Sequence, residues 1–355
     1  MVRRLLIWSC LLLTGCGGGT EDPWEIIELG TDAEFRDIFF LDAQNGWMVG
    51  GVGIAVPGGI VGSTTDGGKT WKYKTGIIPK RYKTTSIDLN AVYFTDLQHG
   101  VIAAEAGTII RTEDGGETWK KAALTGPVYA RNQDVDFVDA LNGWIIGREG
   151  VRRTEDGGAT WERIDEEQKL EGNAIQFLDR NRGWVAGKFG AVYRTEDGGV
   201  TWETVPAYGS LEGLSGDDKP NFLSLHFVDE NHGWIAGYRS EFPELEQYHY
   251  AVMLHTRDGG QTWDKQMEGV QVRLRAVRFA DSQRGWAVGY DIHTGISTVF
   301  TTEDGGRNWV AQKTVFGEEF LAIYEMDGHV WIAGDRVRNE PQKLLRLVPV
   351  AASSE

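Results

Sequence analysis

The chain has 355 residues, of which 41% are hydrophobic and 25% are charged, proportions typical of a globular protein. Its 36 basic and 52 acidic residues give a formal net charge of −16, which argues against binding along the phosphates of a nucleic acid. The 47 glycines and 14 tryptophans favour an all-β protein rich in turns and aromatic packing.

The first residues have the pattern of a bacterial export signal. Two arginines precede an apolar run, 5–13, that is too short to span a membrane as a helix. The next segment, Leu13-Thr14-Gly15-Cys16, resembles the lipobox of bacterial lipoproteins, in which cleavage leaves Cys16 lipidated. We therefore expect residues 1–15 to be a signal peptide and residues 16–23 to be a lipidated cysteine and tether. The protein is then extracytoplasmic and lipid-anchored to a bacterial membrane. An ordinary secretory signal, cut elsewhere, is the alternative.

An eight-residue motif recurs six times along the chain. It reads TTDGGKTW at 64–71, TEDGGETW at 112–119, TEDGGATW at 154–161, TEDGGVTW at 195–202, TRDGGQTW at 256–263 and TEDGGRNW at 302–309. The closing tryptophans are 41 to 61 residues apart, the spacing expected for β-propeller blades. An alternating apolar run such as NAIQF and a turn followed by Gly-Trp, such as RGWVAG, precede each copy, although Val101 replaces the tryptophan in the second unit. Each unit therefore predicts four short strands, A to D.

A seventh unit is incomplete at its C-terminal end. The runs FLAIYE (320–325), HVWIAG (329–334) and KLLRLV (343–348) supply strands A, B and C, and no further motif follows. The N-terminal run PWEIIEL (23–29) resembles the D strands of other units, such as TWERI at 160–164. We therefore predict that residues 24–348 form one seven-bladed β-propeller, closed by the N-terminal strand, and that residues 349–355 are a tail.

The recurring motif resembles the Asp box, S/T-x-D-x-G-x-T-W. In the second copy, the Thr112 hydroxyl and the Asp114 carboxylate can accept backbone N–H groups, and the two glycines can adopt positive φ. Trp119 is expected to lie flat between sheets. Because a carboxylate repeated in six blades is not one enzyme's unique nucleophile, we interpret these residues as structural: Asp66, Asp114, Asp156, Asp197, Asp258 and Asp304.

Function is expected on the opposite face, where the D-to-A and B-to-C connections meet. The longest include Lys72–Leu89 and Tyr238–Tyr250. Alignment of the units places one ring of residues at the second position of strand A: Arg36, Asn90, Gln133, Asn173, Leu223, Arg275 and Leu321. If strand A of the sixth unit is regular, the arginines of VRLRAVR (272–278) share one face. The candidate partner-binding residues are Arg36, Arg81, Arg148, Lys188, Arg273, Arg275 and Arg278. Channel-lining or solvated surface is the competing interpretation of these residues.

Known enzyme and metal-site patterns are weakly represented. The opening FRDI (35–38) has Asp37-Ile38 where sialidases have Ile-Pro, and no spacing selects a glycosidase carboxylate pair. Cys10 lies in the predicted signal, which leaves Cys16 alone and excludes a cysteine-ligated metal site. We therefore identify no catalytic residue and expect no metal and no cofactor.

Taken together, the blade pattern, the Asp boxes and the lipobox resemble the photosystem II stability/assembly factor family over residues 24–348. That resemblance implies a non-enzymatic propeller that binds a membrane-complex precursor on the lumenal side and that carries a surface arginine patch. Arg36, Arg273, Arg275 and Arg278 are the positions here that match such a patch. We expect a monomer that binds a protein partner. The alternative is a sialidase-like Asp-box protein that binds or hydrolyses glycans.

Overall fold

The computed structural model describes residues 22–51, 58–78, 87–125, 131–148, 150–165, 168–209, 214, 218–241, 248–267, 269–316, 318–336 and 342–349. These residues form seven twisted β-sheets around a central channel, so the predicted seven-bladed all-β propeller is confirmed. They include a 3₁₀ turn at Lys188–Gly190. No helix within the described ranges is long and apolar enough to cross a membrane.

The first four blades follow the repeat units in chain order, with strand A innermost. Blade 1 contains β2 (Glu34–Phe40), β3 (Gly46–Gly51), β4 (Ile60–Thr64) and β5 (Lys72–Thr75), preceded in the chain by β1 (Trp24–Glu28). Blade 2 contains β6 (Leu89–Phe94), β7 (Gly100–Ala104), β8 (Ile109–Thr112) and β9 (Lys120–Lys121). Blade 3 contains β10 (Ala123–Leu124), β11 (Asn132–Phe137), β12 (Gly143–Gly147), β13 (Gly150–Thr154) and β14 (Thr160–Arg163). Blade 4 contains β15 (Ala174–Phe177), β16 (Gly183–Ala186), β17 (Val192–Thr195) and β18 (Glu203–Thr204). Blade 3 thus has a fifth strand, because β10 pairs in parallel with the outer edge of β14.

The last three blades contain the longest strands. Blade 5 contains β19 (Asn221–Phe227), β20 (Gly233–Glu241), β21 (Tyr248–Thr256) and β22 (Asp264–Gln266). Blade 6 contains β23 (Arg273–Phe279), β24 (Gly285–Asp291), β25 (Ile296–Thr302) and β26 (Val310–Phe316). Blade 7 contains β27 (Glu318–Met326), β28 (His329–Arg336) and β29 (Lys343–Leu347). The connection predicted at Tyr238–Tyr250 is shorter than expected, because β20 and β21 stay paired as far as Glu241 and Tyr248.

The N-terminal strand closes the ring, as predicted. β1 pairs antiparallel with β29 from Trp24 opposite Leu347 to Glu28 opposite Lys343. The Leu29 amide continues the ladder by donating to the Gln342 carbonyl at 2.8 Å. Blade 7 therefore has four strands, because β1 supplies the one that its own repeat unit lacks, and the outer edge of β29 is covered.

The blades pack on one another through aromatic residues. In five of the interfaces, the phenylalanine near the end of strand A stacks flat on the strand-B tryptophan of the preceding blade, with ring centroids 3.5 to 3.9 Å apart. The same phenylalanine meets its own Asp-box tryptophan edge-on, as Phe94 meets Trp119 at 88°. The expectation that Trp119 lies flat between sheets was therefore wrong. The strand-B tryptophans take that position because they face the neighbouring blade.

The same strand-B tryptophans hydrogen-bond across the blade interfaces. Each indole N–H donates to the carbonyl of the first Asp-box glycine in the next blade: Trp47 to Gly115, Trp144 to Gly198, Trp184 to Gly259, Trp234 to Gly305 and Trp331 to Gly67. Trp331 thereby connects blade 7 to blade 1. Blade 2 has Val101 at this position, so the corresponding bond to blade 3 is replaced by an apolar contact.

The Asp-box turn is held by its own side chains. In blade 2, the Thr112 hydroxyl donates to Asp114 at 2.8 Å and accepts the Gly116 amide at 2.9 Å. Asp114 also accepts the amide and the hydroxyl of Thr118, and this hydroxyl is the main reason why the pKa of Asp114 falls to about 2. Gly115 and Gly116 have φ of 73° and 93°, a region that residues with a Cβ disfavour. Gly115 N–H donates to Gln98 in the A–B turn, so the Asp boxes and the A–B turns share one face.

Candidate functional site

The opposite end of the channel, where the A strands begin, is called the channel mouth here. In six blades strand A has a β-bulge near its start, where one residue has no cross-strand partner. The six bulge residues and Asn173, which precedes β15, line one cavity of about 110 Å³: Arg36, Asn90, Gln133, Asn173, Leu223, Arg275 and Leu321. The ring that repeat alignment predicted is therefore brought together at the mouth.

Both arginines of this ring are already paired with carboxylates. Arg36 Nε lies 2.7 Å from Glu34, its Nη2 lies 2.9 Å from Asp88, and its Nη1 donates to Asn90 at 3.1 Å. Arg275 forms an ion pair with Glu319 of blade 7. A partner's carboxylate would have to displace these acids, so Arg36 and Arg275 are less available to an anion than the sequence alone indicates.

The three arginines of β23 do not share one face. Arg278 is three residues from Arg275, so even a regular strand would place these two side chains on opposite faces, and the expectation of one shared face was wrong. The bulge between Leu274 and Ala276 changes the alternation, and Arg275 and Arg278 both line the channel, with Arg278 deeper, beside Asp37 and Tyr324. This bulge depends on the pairing of β23 with β24, which the sequence pattern does not reveal.

The inner channel contains buried carboxyl groups that sequence reasoning did not single out. Asp37, Asp134 and Asp136 each accept a backbone N–H from strand A of a neighbouring blade, at 2.8, 2.9 and 2.6 Å. Burial raises the pKa of Asp37 and Asp136 to about 7 and that of Asp134 to about 6. Burial also lowers the pKa of His226 well below its usual value, so this ring is neutral. The aspartates in FRDI and QDVD alternate with apolar residues, and this pattern could have indicated carboxyl groups inside the channel.

Arg273 lies outside the channel, against aromatic rings of blade 5. Its guanidinium carbon is 4.7 Å from the centroid of the Tyr238 ring, and its Nη2 lies 3.3 Å from His249 Nδ1. Burial, and then the charge of Arg275, lower the pKa of Arg273. This arginine is held in place by ring contacts, and its buried Nε–H is left without an acceptor in the described part of the chain.

Two further predicted cations are exposed at the mouth. The side chains of Arg148 and Lys188 point to solvent, and neither forms an ion pair with a described residue. Lys219, which the sequence analysis did not select, is likewise without an ion pair in the ranges given above. Arg81 and Cys16, two predicted site residues, lie outside the described residues.

A cavity of about 230 Å³ opens between blades 4 and 5. It is lined by Lys188, Phe189, Lys219, Asn221, Tyr238, Ser240 and His249, and we call it the blade 4–5 cavity. Phe189 is 53% exposed and has φ of 59°, a left-handed conformation that is rare for an aromatic residue. Neither Phe189 nor Lys219 belongs to a repeated position, which is why motif alignment missed them.

Within the described residues, no group of three or more histidine, cysteine, aspartate or glutamate side chains is arranged to hold a metal ion. The six Asp-box carboxylates lie on the face away from the mouth, where each accepts hydrogen bonds within its own turn.

Comparison with known sequences identifies related proteins. A family model described as "Photosynthesis system II assembly factor YCF48" matches residues 19–91 and 80–225. The photosystem II assembly lipoprotein Ycf48 of Picosynechococcus sp. is 45% identical over 53 residues, which cover 15% of this chain and 14% of that protein. The namesake from Prochlorococcus marinus is 34% identical over 89 residues, or 24% of each chain. The segments of the chain that match thus span less than a quarter of the length of these curated relatives.

Solved structures share the fold over almost the whole chain. A structure titled "YCF48 bound to D1 peptide" has a TM-score of 0.68 at 19% identity and covers 93% of this chain and 96% of that one. YCF48 from Cyanidioschyzon merolae gives 0.67 at 16% identity, with coverage of 92% and 99%. A GH74 xyloglucanase from Xanthomonas campestris gives 0.60 at 13% identity and covers 90% of this chain but 55% of the enzyme. At these identities the likeness concerns the fold alone.

Proposed function

Because the chain belongs to the photosystem II assembly factor YCF48 family, we propose that it is a non-enzymatic scaffold that binds a protein partner at the channel mouth. The partner in this proposal is a membrane-protein complex or its precursor. One observation carries the proposal: the exposed cations Arg148 and Lys188 and the partly buried Arg273 lie around the mouth of a protein whose net charge is −16. Arginine beside exposed aromatic rings is typical of protein-binding hot spots.

Two relationships support the nature of the partner. One family structure is titled as bound to a D1 peptide, and several relatives are named photosystem II assembly proteins. A propeller mouth built from rigid strand ends suits an extended segment of another protein, since its residues are held by the sheets rather than by long loops. We propose that the protein acts as a monomer.

The proposal also includes a membrane anchor. Relatives are named lipoproteins, and this chain has a lipobox-like sequence ending at Cys16. We assign residues 1–15 to a signal peptide, 16–23 to the lipidated cysteine and tether, 24–348 to the propeller and 349–355 to a tail. The protein is then extracytoplasmic, on the same side of the membrane as the exposed part of its partner. Intact mass measurement of the membrane-extracted protein tests this assignment directly.

Crosslinking in the native host tests the partner. The tagged protein is crosslinked, purified and analysed by mass spectrometry, and compared with a variant carrying Arg148→Gln, Lys188→Gln and Arg273→Gln. The matched control carries Arg180→Gln, Arg257→Gln and Arg284→Gln, which remove the same charge from the Asp-box face. We expect a membrane-protein partner in the wild type and the control that is lost from the mouth variant. Equal capture by all three proteins would place the binding surface elsewhere. Capture of no protein would refute the proposal and lead to a glycan array and a glycosidase panel.

A further inference from the structure

The 3₁₀ turn at Lys188–Gly190 holds an aromatic side chain in solvent. Phe189 has φ of 59° and ψ of 28°, and 53% of the residue is exposed. Neighbouring backbone bonds fix this turn: Gly187 N–H donates to Ala191 at 2.9 Å, and Gly190 N–H donates to Pro220 at 2.7 Å. Strained backbone that is fully tied down occurs preferentially at ligand-binding positions. A rigid exposed ring is also a low-entropy contact for an apolar group.

The charged side chains among the described residues that line this cavity are both lysines. Lys188 and Lys219 line the same cavity as Phe189, and neither has a carboxylate partner within the part of the chain described above. Arg36 and Arg275 at the mouth, by contrast, are paired with carboxylates. The two lysines therefore leave a local positive potential on an acidic protein, which attracts an anion.

The remaining wall supplies neutral donors and aromatic faces. Asn221 Nδ2 donates to the Tyr238 hydroxyl at 3.0 Å, and the Tyr238 ring meets His249 edge-on with centroids 4.7 Å apart. The cavity, at about 230 Å³, lies below the roughly 300–1,000 Å³ usual for small-molecule pockets. It therefore suits one side chain with a nearby carboxylate better than a whole cofactor.

We propose that the blade 4–5 cavity binds a carboxylate adjacent to an aromatic or large apolar side chain, presented by an extended segment of the protein partner. This inference rests on the proposed function and specifies the chemistry that the mouth recognises. Lys188 and Lys219 hold the carboxylate, and the Phe189 ring packs against the apolar group. The carboxylate belongs to an aspartate or glutamate side chain or to a chain terminus, and both present the same anion to the lysines.

A minimal probe tests the cavity without knowledge of the partner. N-acetyl-4-fluoro-L-phenylalanine carries the carboxylate and the ring, and its carboxamide analogue lacks the charge. Titration followed by ¹⁹F NMR should show saturable binding of the acid and at least about tenfold weaker binding of the amide. The variant Lys188→Gln/Lys219→Gln should bind the acid at least about tenfold more weakly, whereas Lys120→Gln/Lys121→Gln, which removes the same charge from β9, should bind like wild type. Phe189→Ala should weaken both probes.

The outcomes separate this inference from the proposed function. Near-ultraviolet circular dichroism first establishes that each variant is folded. Equal binding of acid and amide, no saturable binding by wild type, or unchanged binding by the Lys188→Gln/Lys219→Gln variant would each overturn the inference. Partner capture is then compared in the same variants. If a partner is captured equally well without the two lysines, the cavity inference is wrong and the proposed function stands. If the probe binds and no partner is captured, the proposed function is wrong and the carboxylate site stands.

Discussion

Replacing Trp144 by phenylalanine tests the contribution of the interblade indole bonds. The Trp144 ring is fully buried, stacks on Phe177 with centroids 3.8 Å apart, and donates its N–H to the Gly198 carbonyl at 2.9 Å. Trp286 is the matched control. It occupies the same position in blade 6 and is 9% exposed, but blade 7 has no Asp box, and its indole has no hydrogen-bond acceptor among the described residues.

The expected difference follows from the contacts that each substitution removes. Both Trp→Phe changes remove one fused ring from a packed interface, which lowers the free energy of unfolding by about 1–3 kcal/mol. Trp144→Phe also leaves the Gly198 carbonyl without its donor, which adds about 1–3 kcal/mol. The loss of flat stacking on Phe177 adds about 0.5–1.5 kcal/mol, because phenylalanine cannot reproduce the indole overlap. Trp144→Phe should therefore destabilise the protein by at least about 1 kcal/mol more than Trp286→Phe.

Urea unfolding followed by circular dichroism measures this difference. The comparison is valid when the three proteins have equal m-values, since the substitutions then act on stability and not on the extent of unfolding. Losses that agree within about 0.5 kcal/mol would refute the reasoning, because the interblade hydrogen bond would then make no net contribution.

Three further predictions concern the turns, the channel and the blade 2–3 interface. Asp114→Ala should lower the melting temperature, because Thr118 loses the acceptor for two donors, and it should leave partner capture per folded molecule unchanged; a binding defect in a folded variant would contradict this assignment. Because burial raises the pKa of Asp37 and Asp136 from 3.8 to about 7, protonation of both carboxyls favours the fold at pH 5, and the free energy of unfolding should fall as the pH rises through 7. Urea titrations from pH 5 to 8 should show a shallower fall for Asp136→Asn, and an identical slope would contradict the prediction. Val101→Trp should raise the melting temperature by about 2–4 °C by supplying an indole donor to the Gly157 carbonyl, and a decrease would show that the interface has no room for the larger ring.

The repeat pattern predicted the architecture because each blade repeats the same local sequence. Six Asp boxes, an incomplete seventh unit and an N-terminal run that begins near Trp24 and resembles a D strand were sufficient to predict seven blades and their closure. The roles of the tryptophans were harder to assign, since sequence reveals a large aromatic residue but not which neighbouring sheet it faces. Trp119 was therefore expected to lie flat, a position that Trp47 and its equivalents occupy instead.

The candidate site was less predictable because it depends on features that do not repeat. Alignment placed Arg36 and Arg275 at the mouth, but the acids that neutralise them come from other strands and connections. The bulge in β23 leaves Arg275 and Arg278 both lining the channel while Arg273 packs on Tyr238, and a strand pattern alone does not reveal a bulge. Phe189 stands out by its backbone conformation and exposure, two properties that only coordinates supply.

Closure of the ring by β1 and β29 also determines when the fold can be completed. These strands stand at opposite ends of the sequence, so the loop that their pairing closes is nearly the whole chain. Because the entropy cost of closing a loop grows with its length, we expect this contact to form after the blades between have ordered. Until then Trp24, which is buried in the finished protein, has no sheet to cover it. A chain that lacks the last strand would keep an unpaired strand edge that proteases and other chains can reach. Truncated molecules should therefore be degraded or aggregate more readily than molecules with a closed ring.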